Sequence, residues 1–208
     1  MNAGAQVFVV DDDASVRRSL VRFFRSAGLE VEAFESARAY LTRTPSSGPS
    51  CLVLDVQMPE LNGLELQRAL AESERTEQII FLTGKGDIPM CAGAMKAGAV
   101  DFLPKPFGDT KLLAAVERAL AISGQRLLQN AEHADVRARI ASLTPRESQV
   151  FEGVIAGKLN KQIAADLGTS LKTVKFQRGR VMEKMGVVSV AELVRLAEKA
   201  GITPARTS

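Results

Sequence analysis

No stretch of the chain runs to about 18 consecutive apolar residues, so a membrane-spanning helix is not expected. The opening residues, MNAGAQVFVVDDD, lack a basic segment and meet aspartate after four apolar residues, which argues against a secretory leader. Cysteine is scarce. Cys51 and Cys91 have no metal-ligand spacing and read as small buried hydrophobes of a protein kept in the reducing cytoplasm. The only histidine, His133, falls in a polar, helix-forming stretch and reads as exposed and inert. Repeats and low-complexity tracts are missing too. What remains is an ordinary globular composition, 46% apolar and 25% charged and without tryptophan. Its 208 residues suffice for one large domain or two smaller ones.

The net charge of +3 conceals a division. Residues 143–208 hold eleven Lys and Arg against six Asp and Glu, whereas residues 1–142 hold sixteen against eighteen. A near-neutral first part joined to a short basic second part suggests two domains, the second suited to nucleic acid.

Residues 1–122 alternate between apolar runs and amphipathic helical patterns. The runs QVFVV, EVEAF, CLVLD, IIFLT and VDFL are each followed by a helical pattern. Five β-then-α units with continuous apolar strands predict a parallel sheet covered on both faces, a doubly wound α/β domain. Such sheets bind ligands beyond the carboxyl ends of their strands, near the point where strand order reverses. Asp11, Asp12 and Asp13 follow the first strand, Asp55 ends the third, Thr83 ends the fourth, and Lys105 lies just past the fifth. All are expected on one edge. Residues 123–140 read as a helical linker extending the fifth helix, with Gly124 interrupting the pattern. From LTPRES onward four helices are expected over residues 141–208, the first opened by a Thr144–Glu147 capping box with Pro145 at its first position.

Three crowded carboxylates need a cation. Asp11, Asp12 and Asp55 make an oxygen-rich pocket suited to Mg²⁺, which takes one or two carboxylates and keeps positions for a phosphate. Asp55 can then act as the nucleophile toward a phosphoryl group, with Lys105 supplying a positive charge and Thr83 a hydroxyl donor. Asp13 and Ser15 read instead as helix caps. The segments VVDDD, LVLDVQMPELNGLEL, FLTGKGD and VDFLPKPF resemble, in order and spacing, the motifs of response-regulator receiver domains. The resemblance implies that Asp55 is phosphorylated by a sensor histidine kinase. It implies that Asp11, Asp12, Asp55 and the backbone carbonyl of Gln57 hold Mg²⁺. It further implies that Thr83 and Phe102 form a switch pair, that Lys105 is the phosphoryl-contacting lysine, and that Lys105–Pro106 is cis. Gln57 and Lys85 stand where the family tunes the lifetime of the acyl phosphate.

In the basic part, NKQIAADLGTSLKTVKFQRGRVMEKMG reads as helix, tight turn, helix. On the first, Ile163, Ala164 and Leu167 face inward; on the second, Leu171, Val174, Val181 and Met185 do. At 100° per residue Lys172, Lys175, Phe176, Gly179 and Arg180 fall on the opposite side. That face suits a major groove, with cations for phosphates or guanine edges and Phe176 for a thymine methyl. Residues 140–202 resemble the LuxR-type four-helix DNA-binding domain. Together with the receiver, the chain is similar to the NarL/FixJ class, and most like FixJ-type regulators. Lys175 matches a DNA-contacting lysine of that motif. Phe176, Gln177 and Gly179 depart from it, so base preference is expected to differ from that of relatives.

The reading is therefore a cytoplasmic transcription factor switched by phosphorylation, without enzymatic turnover of its own. Its expected partners are a sensor histidine kinase, double-stranded DNA and a second phosphorylated copy, with RNA polymerase as a further candidate and no membrane. Two other readings fit parts of the sequence. A Mg²⁺-dependent phosphatase would want an aspartate two residues after Asp55, where Gln57 stands, and a substrate cap that is missing. A constitutive DNA binder would have no use for the complete set Asp11, Asp12, Asp55, Thr83 and Lys105.

Overall fold

The computed structural model describes residues 4–73, 75, 77–84 and 88–202. The chain forms two compact units, Met1–Leu128 and Gln129–Ser208.

In the first unit, strands β1 (Gln6–Val10), β2 (Glu30–Phe34), β3 (Ser50–Asp55), β4 (Gln78–Thr83) and β5 (Asp101–Pro104) make one sheet in the order β2-β1-β3-β4-β5. Every pairing is parallel. Helices α1 (Ala14–Ser26), α2 (Ala37–Leu41), α3 (Gly63–Glu72), α4 (Ile88–Lys96) and the start of α5 (Asp109–Ala141) connect and follow the strands. The central strands β3 and β4 are buried throughout because helices cover both faces. Side chains alternate between two cores, as the pleat requires. Val7, Val9, Cys51, Val53, Ile80 and Leu82 pack with α1 and α5, around Leu20, Phe24, Val116 and Leu120. Phe8, Val10, Leu52, Leu54, Ile79 and Phe81 pack on the other face with Tyr40, Leu66 and Leu70. Edge strand β2 is largely exposed, which explains its polar EVEAF sequence.

Helix α5 extends past residue 122 as expected, and Gly124 does not interrupt it. It runs without a break from Asp109 to Ala141, straight through Gly124. A glycine weakens a helix by about 1 kcal/mol but does not end it. Gly124 lies beside Pro49, and its neighbour Ser123 is buried, with its Oγ accepting the Ser50 backbone N–H at 2.9 Å. Tertiary packing holds the helix where local propensity is poor.

The second unit contains the tail of α5 with α6 (Pro145–Ile155), α7 (Asn160–Asp166), α8 (Leu171–Met185) and α9 (Val190–Lys199). Its core joins Val136 of α5 to Val150, Phe151, Val154, Ile163, Val174, Val181, Met185 and Leu193. Val136 and Ile140 are the apolar anchors of an otherwise polar tail, too few to show an amphipathic period. His133 is partly buried rather than exposed. Leu171 is a further correction: it is 46% exposed and not part of the inward face. It sits at the first position of α8, about 60° from the centre of the Val174–Val181–Met185 stripe, where the packed surface has ended.

Candidate functional site

Strand order reverses between β1 and β3, and the carboxylates lie at that point. Register pairs Val10 with Leu54, so the chain leaves β1 at Asp11 beside the Asp55 end of β3. Asp55 in turn pairs with Leu82, next to Thr83. The sheet therefore sets the spacing of the site.

Asp11 is 1% exposed, and each of its side-chain oxygens accepts one hydrogen bond. Its Oδ1 accepts the Asp13 backbone N–H at 2.9 Å, its Oδ2 accepts Lys105 Nζ at 2.8 Å, and its carbonyl accepts Arg17 Nη1 at 2.6 Å. Lys105 Nζ also lies 3.3 Å from Asp55 Oδ1. Asp11, Asp12 and Asp55 each offer an oxygen within 4.8 Å of the others'. Asp13 stands apart: it caps α1, accepting from Ser15 N at 2.6 Å and Val16 N at 3.3 Å, and these bonds hold its carboxyl below the usual range. Ser15 itself lies inside α1 as a donor, not at its cap.

Asp55 is 7% exposed. Burial pushes its carboxyl upward, opposed by Lys105 and reinforced by Asp11 and Asp12. For Lys105, burial works against the charge, but bonds to Asp11 and Asp55 outweigh it and hold the ammonium above its usual range. Three carboxylates against one ammonium leave the pocket with an excess of negative charge, and the all-oxygen donor set fits a hard divalent cation.

Thr83 is buried at the end of β4, and its carbonyl accepts the Lys105 backbone N–H at 2.7 Å. The Lys105–Pro106 bond is cis. Phe102 is half-buried on β5, its ring 5.9 Å from that of Phe81. Gln57 is exposed and lines a cleft of about 490 Å³ with Val56, Met58, Asn62, Leu64 and Met90. Lys85 lies outside the described residues.

Sequence reasoning missed the supports behind Asp55. Asn62 caps α3 in a reciprocal box with Glu65, and Gly63 opens the helix directly behind the acidic residue. A Cβ added to Gly63 would lie 2.5 Å from the Asp55 carbonyl oxygen, so only glycine lets α3 approach this closely. The Asn-Gly pair before an amphipathic helix was the available signal. Arg17 was also missed; nothing in its local sequence marks it as a clamp on Asp11.

In the second unit, α7 and α8 form the helix–turn–helix. Gly168, with φ of 57°, turns the chain, and the Ser170 hydroxyl caps α8 by accepting Thr173 N at 3.1 Å. The first residues of α6 brace the pair. Arg146 donates to the Leu167 carbonyl at 2.7 Å, and Glu147 closes the Thr144 box while accepting Lys184 Nζ at 2.6 Å. Those bonds, Lys184 first and Thr144 next, lower the Glu147 carboxyl to about 2. Arg178 ties α8 to Asn160 at the start of α7, at 2.8 Å. Leu159, at the cap of α7, has no side-chain acceptor; its backbone N–H goes to Gln162 Oε1 at 2.7 Å. On the free face of α8, Lys172, Lys175, Phe176, Gly179 and Arg180 are all exposed, Phe176 by 66%. Arg180 pairs with Glu183 at 3.2 Å along the same face.

Comparison with known proteins matches the two units to two families. Residues 7–117 match the response regulator receiver domain, and residues 141–197 match the luxR family of bacterial regulatory proteins. The chain is 50% identical over 203 residues to nodulation protein W of Bradyrhizobium diazoefficiens, covering 98% of this chain and 89% of that one. It is 44% identical over 202 residues to the transcriptional regulatory protein FixJ of the same organism, covering 97% and 98%. Among solved structures, the response regulator StyR superposes with a TM-score of 0.81 at 46% identity, covering 94% of this chain and 99% of that one. These relatives are matched over most of both chains, across the receiver and the helix–turn–helix units alike. The chain belongs to the response regulators that join a receiver domain to a LuxR-type DNA-binding domain, the transcriptional regulators of two-component systems.

Proposed function

We propose that Asp55 is the phosphoryl acceptor and that its modification governs DNA binding through α8. The convergence of Lys105 on both Asp11 and Asp55 carries this reading, because it sets one ammonium beside the nucleophile. In the reaction, an Asp55 carboxylate oxygen forms a bond to phosphorus as the phosphorus–nitrogen bond of a phosphohistidine on a sensor kinase breaks. The electron pair leaves with the imidazole, which takes a proton from solvent. Asp11, Asp12, Asp55 and the backbone carbonyl of Gln57 would hold Mg²⁺. That ion, when bound, neutralises phosphoryl oxygens that Asp11 and Asp12 would otherwise repel. Lys105 pairs with a further phosphoryl oxygen and Thr83 donates its hydroxyl to another, with Phe102 following inward. Gln57 and Lys85 tune how long the acyl phosphate lasts.

The product is a switch state rather than a turnover intermediate. Lys172, Lys175 and Arg180 meet phosphates or guanine edges while Phe176 and Gly179 shape the apolar contact. Two phosphorylated copies bind a two-fold site, with RNA polymerase as a further contact, in the cytoplasm. The functional boundaries are a receiver over 1–122, a helical linker over 123–140 and a DNA-binding domain over 141–208.

Mg²⁺-dependent labelling by acetyl phosphate tests the assignment. Wild type should acquire a persistent adduct that raises DNA affinity, and Asp55→Asn should acquire none. Labelling of Asp55→Asn at the wild-type rate, or a wild-type adduct lost in rapid steady turnover, overturns it.

A further inference from the structure

The last turn of α8 is held from outside by the tail of α5. Arg139 Nη1 donates to the Met185 carbonyl, the final one of α8, at 2.9 Å. The same guanidinium is braced by Asp135 one turn earlier on α5, with Nη2 at 2.8 Å from Oδ2. The chain then leaves α8 through Gly186 at φ of 65°, and a Cβ there would lie 2.7 Å from Arg139 Nη1. The backbone conformation favours glycine, and a side chain there would also displace the guanidinium from its seat. Lys184 adds a second tie, donating to the Ser142 carbonyl at 3.0 Å just beyond α5. A positive group at a helix C-terminus also opposes the negative end of its dipole.

We propose that Arg139 is a positioning residue for sequence reading, locking the end of α8 so that Lys175, Phe176 and Arg180 meet base edges in register. It touches no DNA itself. A helix of 15 residues is a rod of about 22 Å, here seated on Val174, Val181 and Met185. Loss of the Arg139 bond loosens its last turn against α5, leaving Lys184 as the remaining tie to that end of the helix. Contacts to base edges tolerate displacements of only about 0.5 Å, whereas long cationic side chains follow a phosphate through larger shifts. Loss of the clamp should thus cost sequence discrimination before it costs general DNA affinity. The inference rests on α8 being the DNA-contacting helix.

The test uses the full chain phosphorylated with acetyl phosphate. Its probes are a duplex that wild type selects from a random pool and a scrambled duplex of equal length. Measurements are made where circular dichroism shows each variant fully folded. Arg139→Met should bind the selected duplex about tenfold more weakly, the scale of one charge-assisted hydrogen bond, and the scrambled duplex as wild type does. Arg139→Lys should recover part of the loss. Asp135→Asn, which removes only the brace, should show a smaller loss of the same kind, and it carries the test if Arg139→Met does not fold. Equal weakening on both duplexes, or on neither, overturns the clamp while leaving α8 as the reading helix. Failure of wild type to select any duplex, with Lys175→Ala indistinguishable from it, overturns the DNA reading and the clamp together.

Discussion

At the scale of residues, the acidic pocket and its supports are under opposing demands. Glu60, in the loop after β3, adopts φ of 67°, a conformation that L-residues other than Asn and Asp rarely take. Glu60→Gly should raise the stability of the first unit by about 0.5–1 kcal/mol in urea unfolding, because the strain is relieved at an exposed site. Glu147 works in the other direction. Its carboxyl is lowered from an ordinary 4.5 to about 2, so its stabilisation is complete above pH 4.5 and is lost as pH falls toward 2. Glu147→Gln should lower the melting midpoint of the second unit at neutral pH. The gap to wild type should then close as the pH drops through that window, a trend that melts across pH would reveal. The aspartates, Thr83 and Lys105 were legible as a set because each sits at a strand end. Arg17 and Gly63 were not, since their roles depend on backbone atoms distant in sequence or on close approach.

At the scale of elements, α5 and α8 show where local preference yields to packing. Gly124 interrupts the helical pattern without ending the helix, and its added Cβ would only touch Pro49 Cγ at 3.5 Å, an ordinary contact. Gly124→Ala should therefore stabilise the chain by about 0.5–1 kcal/mol through helix propensity, seen as a higher denaturant midpoint. A lower midpoint would mean that α5 needs the glycine for close packing. The five strands and the helix–turn–helix were readable from apolar runs, caps and glycines. The exposure of Leu171 was not, because helical periodicity gives direction around a helix but not where along it the neighbouring surface ends.

At the scale of the whole molecule, two units, the first with a core on each face of its sheet and the second with one of its own, predict two unfolding transitions. In calorimetry, Mg²⁺ should raise only the transition of the first unit, which carries the carboxylate cluster, and EDTA should reverse the shift. Asp55→Ala should weaken that response. A shift confined to the second transition would place the ion elsewhere.

By itself the sequence determined the alternation of strands and helices, the division of charge and the residue types at every strand end. These follow from local periodicity and from the chemistry of single side chains. Tertiary structure alone decided that Val136 of α5 joins the second core, that Gly63 backs Asp55, and that Arg139 seats on the end of α8. Each depends on atoms brought together across the chain, where the closeness of approach is set by packing and by unsatisfied backbone groups rather than by any pattern along it.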